Sequence, residues 1–263
     1  TDKITYKKFK TLLPNTAIFF HIYNIELYDE FIEYIKNLKK SQITFDLYIN
    51  IALNKKEDKK KPEYKNLLQK INKFKLANQK IITFSDNRGM DIGGFITSYI
   101  KMLELKKSYS DIIKIHTKTN INWRFAMLYS LLGNENIINS NIDLLNNPIV
   151  GCIGNQLVSL NNVINVHCLN DIKIYLYRFN LNLKKHYNFI PGTMFWIKGK
   201  ILEKYFTIDI LKKCYNEFDY YYCGSIENKL IEGKPHAFER LFGIILGNHN
   251  LRCVTFDVDK SSL

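Results

Sequence analysis

The sequence predicts an α/β fold in a single domain, a mostly parallel sheet flanked by helices. Three observations predict it. Runs of β-branched and aromatic residues recur at short intervals through the first half of the chain, and a segment of helical period follows nearly every one. Strands separated by single helices demand right-handed crossovers and therefore parallel pairing. The chain has 263 residues, 46% of them hydrophobic, enough to bury a substantial core around such a sheet.

Thr16–Tyr23 (TAIFFHIY) reads as the first strand, ending at polar Asn24. Leu27, Phe31, Tyr34, Ile35 and Leu38 then fall at helical spacing over Leu27–Leu38. Phe45–Ala52 is a second strand, and Glu63–Phe74 an amphipathic helix entered through Pro62, a favourable first-turn residue. Lys80–Phe84 gives a third strand. After the turn-rich Ser85–Gly94, Phe95–Leu105 resumes a helical pattern and Asp111–His116 forms a fourth strand. The second half is less regular. Trp123–Leu132 is helical and stops at Gly133, Ile149–Ile153 is a strand, and Asn155–Tyr175 carries no clear period. Thr193–Ile197 is a strand after the turn Pro191–Gly192, His236–Leu246 a helix, and Leu251–Val258 a closing strand.

Composition narrows the function. No apolar stretch approaches the ~20 residues needed to cross a bilayer. The opening TDKITYKKFKTLL lacks an apolar signal core and reads as an N-terminal extension, residues 1–13, of an excised domain. Five cysteines, never spaced CxxC, argue against zinc fingers and a disulfide framework and for a reduced, cytoplasmic compartment. The net charge of +13 favours anionic company. Lysines are spread through every predicted surface helix and no RNA-binding signature occurs, so nucleic acid is not an expected partner. The run Lys55–Lys61 (KKEDKKK) contains acids and reads as a solvated loop.

Ligands of parallel sheets bind beyond the carboxyl ends of the strands, which directs attention to Tyr23–Asn24, Ser85–Gly94 and His116–Asn120. In SDNRGMDIGG (Ser85–Gly94), the glycines allow close backbone approach to a ligand, Arg88 offers a planar fork for phosphate, and Asp86 and Asp91 suit hydroxyls or a metal. The same string also reads as a turn capping the following helix, with Asp91 near its N-terminus. His116-Thr117-Lys118 leaves a buried strand with polar residues, of which Lys118 can neutralise a diphosphate; a lone strand-end histidine is more often a structural residue than a ligand. Phe195 and Trp196 offer an apolar wall for a sugar face. His236, Glu239 and Arg240 share one helical face, either a general base with its partners or an internal ion-pair face.

Together these segments resemble the rhamnan synthesis F family of bacterial polysaccharide glycosyltransferases. The strings that carry the resemblance are FFHIYNIELYDEFIEYI (Phe19–Ile35), FDLYI (Phe45–Ile49), NRGMDIGGF (Asn87–Phe95), KIHTKTN with WR (Lys114–Asn120, Trp123–Arg124), NPIVGCIG (Asn147–Gly154), GTMFWIKGKIL (Gly192–Leu202) and HAFERLFG (His236–Gly243). They occur in family order over nearly the whole chain.

The resemblance implies a GT-A-like, Rossmann-type glycosyltransferase domain over residues 14–260. Residues 14–122 would form the nucleotide-sugar-binding half and 123–260 the acceptor half. It implies transfer from a nucleotide-sugar donor, with rhamnose or another deoxyhexose as the sugar, to a cell-wall, capsule or O-antigen glycan. That acceptor would be lipid-linked and met at the inner face of the cytoplasmic membrane. A non-catalytic nucleotide-sugar- or glycan-binding domain of a larger transferase is the alternative. Donor contacts are expected from Asn24, Asp86, Asn87, Arg88, Asp91, Gly93 and Thr117, and acceptor contacts from Thr193, Trp196, His236 and Arg240. Glu239 is the expected base of an inverting transfer, with Lys118 and His116 stabilising the departing diphosphate. The DxD pair that holds a divalent metal in many GT-A enzymes is missing from the fourth strand's exit, so no metal ligand is assigned and the metal requirement stays open. Gly94 stands where the family usually has proline, which predicts a looser loop.

Overall fold

The computed structural model describes residues 15–159, 168–183, 187–218, 225–226, 229–230 and 233–255. Strand β1 (Thr16–Ile22) leads through a 3-10 turn at Ile25–Leu27 to α1 (Tyr28–Lys40), then β2 (Phe45–Leu53), α2 (Pro62–Lys73), β3 (Gln79–Asp86), α3 (Met90–Glu104) and β4 (Asp111–His116). Helices α4 (Ile121–Leu132) and α5 (Glu135–Asn146) precede β5 (Val150–Gly154) and the two-residue strand β6 (Val158–Ser159). The chain continues through α6 (Leu169–Arg178), β7 (Asn188–Phe189), β8 (Phe195–Lys198), α7 (Gly199–Glu203) and α8 (Ile208–Asn216). The short strands β9 (Ser225–Ile226) and β10 (Lys229–Leu230), helix α9 (Lys234–Asn248) and strand β11 (Arg252–Thr255) complete it.

Seven strands form one sheet in the order β11-β5-β8-β4-β1-β2-β3, parallel except for β8, which runs antiparallel to both β4 and β5. The alternation of side chains along each strand builds two apolar layers. Ala17 and Phe19 on β1, with Ile112 on β4, face a layer under α3, α6 and α9. Ile18, Phe20 and Ile22, with Ile113 and Ile115, face a layer under α1, α2, α4 and α5. The fold is therefore the mixed α/β class that the spacing predicts, and the four strands of the first half fall within two residues of where they are expected.

Four expectations change. The Lys55–Lys61 run is not a plain solvated loop: Lys56–Lys60 winds into a 3-10 turn around Asp58. Asp58 is 4% exposed and takes the Lys55 N–H at 2.9 Å and Lys61 Nζ at 2.8 Å. Helix α3 starts at Met90, five residues before the expected Phe95, because Gly89 adopts a left-handed φ of 68° that turns the chain directly into it. Helix α6 begins inside the unassigned stretch and runs past its end to Arg178, and α5 and α8 arise in segments whose apolar stripes are interrupted by Asn and Lys. Both of the latter are capped by side chains, Asn134 accepting from the Ile137 N–H and Thr207 from the Ile210 N–H. The expected residues 1–13, Cys223 and the Phe256–Val258 end of the closing strand lie outside the described residues.

Gly94 does not loosen a loop, which is the fourth correction. It lies inside α3, where a Cβ would come within 1.9 Å of His21 Nδ1 and 2.7 Å of Asn50 Oδ1. Its missing side chain lets α3 settle on the sheet. Gly94→Ala should cost about 1–3 kcal/mol through overpacking. Denaturant unfolding should show a lower midpoint at unchanged slope, and an unmoved midpoint would contradict this packing.

Candidate active site

Strands β1 and β4 end side by side, with His21 opposite His116. Thr117 stitches the two exits together: its hydroxyl oxygen accepts the N–H of Tyr23 at 2.9 Å and of Asn24 at 3.1 Å, and its own N–H reaches the His21 carbonyl. The Asn24 side chain caps the next turn through the Glu26 N–H at 3.1 Å. These two predicted donor-binding residues thus shape the rim of the site.

Beneath the rim lies a charge centre. Lys114, 1% exposed in the middle of β4, directs its ammonium to Asp91 Oδ2 (2.6 Å), the Thr193 hydroxyl (2.6 Å) and the Thr193 carbonyl (3.1 Å). All three of its donors are spent. The Thr193 hydroxyl donates in turn to Asp91 Oδ2. Burial alone would raise the Asp91 carboxyl; a His116 that carries charge only in acid, the Lys114 ammonium, and the hydrogen bonds from Lys114 and Thr193 outweigh it and hold Asp91 well below the usual carboxylate range. Every one of these contacts falls on Oδ2, and the Asp91 side chain keeps 21% of its exposure. Burial pushes His116 down to about 3, so it is a neutral imidazole whose buried Nδ1 sits 3.6 Å from Asp91 Oδ2 with no hydrogen-bond partner among the described residues. His21 is likewise lowered by burial, to about 4, and pairs through Nδ1 with Asn50 Oδ1 at 2.8 Å.

The turn before β8 joins this centre to α9. Gly192 and Thr193 both take left-handed φ values, 75° and 50°. That geometry sends the Thr193 side chain to Asp91 and Lys114 while the Gly192 N–H donates to Glu239 Oε1 at 2.5 Å. Burial first, and then the Asp91 charge, raise the Glu239 carboxyl to about 7 against the opposing pull of Arg240, the Gly192 N–H and Lys114. Arg240 holds the His236 carbonyl at 2.8 Å, lies 5.1 Å over the Phe189 ring and comes within 3.8 Å of Glu239 Oε2. The His236 ring accepts the Gly233 N–H at 3.4 Å at the start of α9. Lys118 places its ammonium 3.6 Å over the Trp123 ring, and a Cβ on Gly192 would come within 2.9 Å of that same ring. Burial lowers Lys118 while Asp91 and Glu239 raise it, so both acids act on its charge.

The structure therefore gathers Asp91, His116, Lys118, Thr193, Glu239 and Arg240 around one turn. Asp86 and Arg88 point elsewhere, toward α8. Tyr215 donates to Asp86 Oδ1 at 2.5 Å, and Arg88 donates to the Asn216 carbonyl at 3.0 Å. Asn87 closes the turn between them by accepting the Met90 N–H, and Gly93 lies in α3, where a Cβ would meet the Arg88 carbonyl oxygen. Trp196 corrects the expectation of a two-ring sugar wall. Adjacent residues of a strand face opposite sides, so Phe195 joins the α9 layer while Trp196 is buried at 1% exposure in the other.

Sequence reasoning missed Lys114, the Gly192 N–H and the His21–Asn50 pair. A lysine inside the otherwise apolar strand DIIKIH was the available signal for the first. Among the described residues no cluster of three His, Cys, Asp or Glu side chains is arranged to hold a metal ion, and the Asp91 carboxylate is already neutralised by Lys114. These residues do not fit a resident divalent cation. Among the described residues no helix is long and apolar enough to cross a membrane.

Comparison with known proteins adds two findings. A mannosyltransferase from Pyrobaculum calidifontis, solved in complex with GDP-Man and Mn2+, aligns over 94% of this chain at 11% identity and a TM-score of 0.43. This chain spans 56% of that protein's length, just over half. No curated protein matches the sequence. The profile of rhamnan synthesis protein F matches residues 1–249, and the chain belongs to that family.

Proposed function

We propose that this chain is a nucleotide-sugar-dependent glycosyltransferase of GT-A-like design that transfers rhamnose or another deoxyhexose to a growing cell-surface glycan, with inversion. Membership of the rhamnan synthesis protein F family supports a glycosyltransferase. One observation carries the mechanism: a buried carboxyl at Glu239, raised to about 7, acts across the Gly192–Thr193 turn on the same small volume as Asp91 and Lys118. A base works best when its pKa lies near the operating pH.

In this reading the acceptor hydroxyl oxygen attacks the anomeric carbon of the donor. The bond from that carbon to the diphosphate oxygen breaks, the nucleoside diphosphate leaves with the electron pair, and the hydroxyl proton passes to Glu239. Lys118 meets the charge that grows on the diphosphate, a task that fixed cations perform well in a site with little water. Asp91, anchored through Oδ2, orients donor hydroxyls. Arg240 and the Gly192 N–H hold Glu239 in place. The acceptor is lipid-linked and met at the inner face of the cytoplasmic membrane, where a net charge of +13 favours anionic headgroups.

Lys118→Ala is expected to lower kcat about 10²–10³-fold while the melting temperature stays close to that of the unaltered protein. Single-turnover assays with saturating donor check it. Turnover close to that of the unaltered protein would remove Lys118 from the chemistry.

A further inference from the structure

The residues Asp86 and Arg88 were expected to touch the donor, yet both turn away from the charge centre toward α8. Their partners on α8, Tyr215 and Asn216, line an open groove of about 460 Å³ that wraps the edge of β3 beside helices α3 and α8. That volume lies within the range of about 300–1,000 Å³ occupied by bound ligands. Thr83 lies on the α3 face with Thr97 and Ile100, Ile82 and Phe84 lie on the opposite face of the same strand edge, and Tyr215 is the lining residue bonded to Asp86. Tyr215 is fixed there by its hydrogen bond to Asp86, and the Arg88 guanidinium lies 5.9 Å from the centre of its ring. Three lysines line the groove. Lys101 is paired with Glu104 at 3.1 Å, while Lys59 and Lys212 have no carboxylate partner among the described residues. Lys59 lies 3.8 Å over the Phe84 ring, which brings its ammonium across the groove wall.

We infer that this groove holds an anionic, phosphate-bearing segment of the glycan acceptor. Apolar ring faces suit the faces of sugar rings. Two lysine ammonium groups with no carboxylate partner among the described residues suit a phosphate, which they neutralise as point charges. Tyr215, in the groove lining, is bonded to Asp86 at the end of β3, the strand that precedes Asp91 in the chain, so the groove and the charge centre share one connecting segment. This assignment rests on the glycosyltransferase reading for the identity of the ligand, but binding in the groove can be measured without turnover.

The experiment uses the whole chain carrying Glu239→Gln and titrates four probes by calorimetry: maltotriose bearing a terminal phosphate, neutral maltotriose, inorganic phosphate, and a short single-stranded oligonucleotide. The expected order places the phosphorylated trisaccharide first. Its affinity should fall about tenfold or more on adding Lys59→Ala and Lys212→Ala, both on exposed side chains whose loss leaves the core intact. Tyr215→Phe, which removes the hydroxyl bonded to Asp86 and Thr97 but keeps the ring, should weaken binding by a smaller factor. In a background with Glu239 restored, the two lysine variants should leave transfer to a short neutral acceptor unchanged. Unaltered affinity in the double lysine variant would overturn the proposal, as would inorganic phosphate or the oligonucleotide binding as tightly as the phosphorylated trisaccharide. Absence of any sugar transfer by the unaltered protein would instead strike the enzymatic reading, because binding in the groove is read separately.

Discussion

Glu239→Gln should reduce acceptor-dependent turnover about 10²–10⁴-fold, the usual contribution of a positioned general base, with donor affinity nearly unchanged. Glutamine keeps the shape and still accepts the Gly192 N–H that now reaches Glu239 Oε1 at 2.5 Å, so the turn between α9 and β8 should remain in place. What it lacks is the ability to take a proton. The environment already favours that event: burial and the Asp91 charge raise the carboxyl to about 7. Arg240 and the Gly192 N–H keep it from rising further. Steady-state rates and donor titrations on the same preparation separate the two effects. Substantial residual turnover would assign the base elsewhere.

The second large effect is expected at Lys114. Replacing it with Met preserves much of the apolar stem but removes the cation that Asp91 and Thr193 share. Leaving one partner of a buried ion pair uncompensated costs about 3–5 kcal/mol. The lower end applies here, because Asp91 retains 21% side-chain exposure. Losing this cation also removes the main fixed positive charge beside Asp91, so turnover should fall along with stability. Adding Asp91→Asn to Lys114→Met should restore much of the lost stability, since the amide carries no charge to strand. Urea unfolding of the two single variants and the double provides the cycle. Strictly additive losses would show that the two side chains do not act as a pair.

Much of the first half was legible because helical period and β-branched runs are strong signals when one face is buried. β4 occupies Asp111–His116, the residues the reading gave it, and β1, β2 and α2 differ from expectation by a residue or so. The site was less legible for specific reasons. Asp91 was singled out, but its partner Lys114 hides in the same strand as His116, where a charged residue contradicts the apolar rule until its acid is known. The Gly192–Thr193 turn depends on a threonine at φ 50°, a backbone state that β-branched residues seldom adopt and that no local pattern announces. Trp196 could have been placed from alternation alone, since it neighbours Phe195 on a strand buried on both faces. Arg88 and Asp86 are expected at the donor, but their direction is set by α8, a helix whose Lys- and Asn-bearing sequence gives little notice of itself.

The most direct test of the central claim is the pH profile of kcat, followed as acceptor-dependent release of nucleoside diphosphate. Glu239 must be deprotonated to accept the hydroxyl proton, so the rate should climb with pH and level off above about 7, where the carboxyl ionises. The residual rate of Glu239→Gln should lack that limb. A profile flat between pH 5 and 8, or one whose limb survives the substitution, would contradict a mechanism in which this carboxylate drives the transfer.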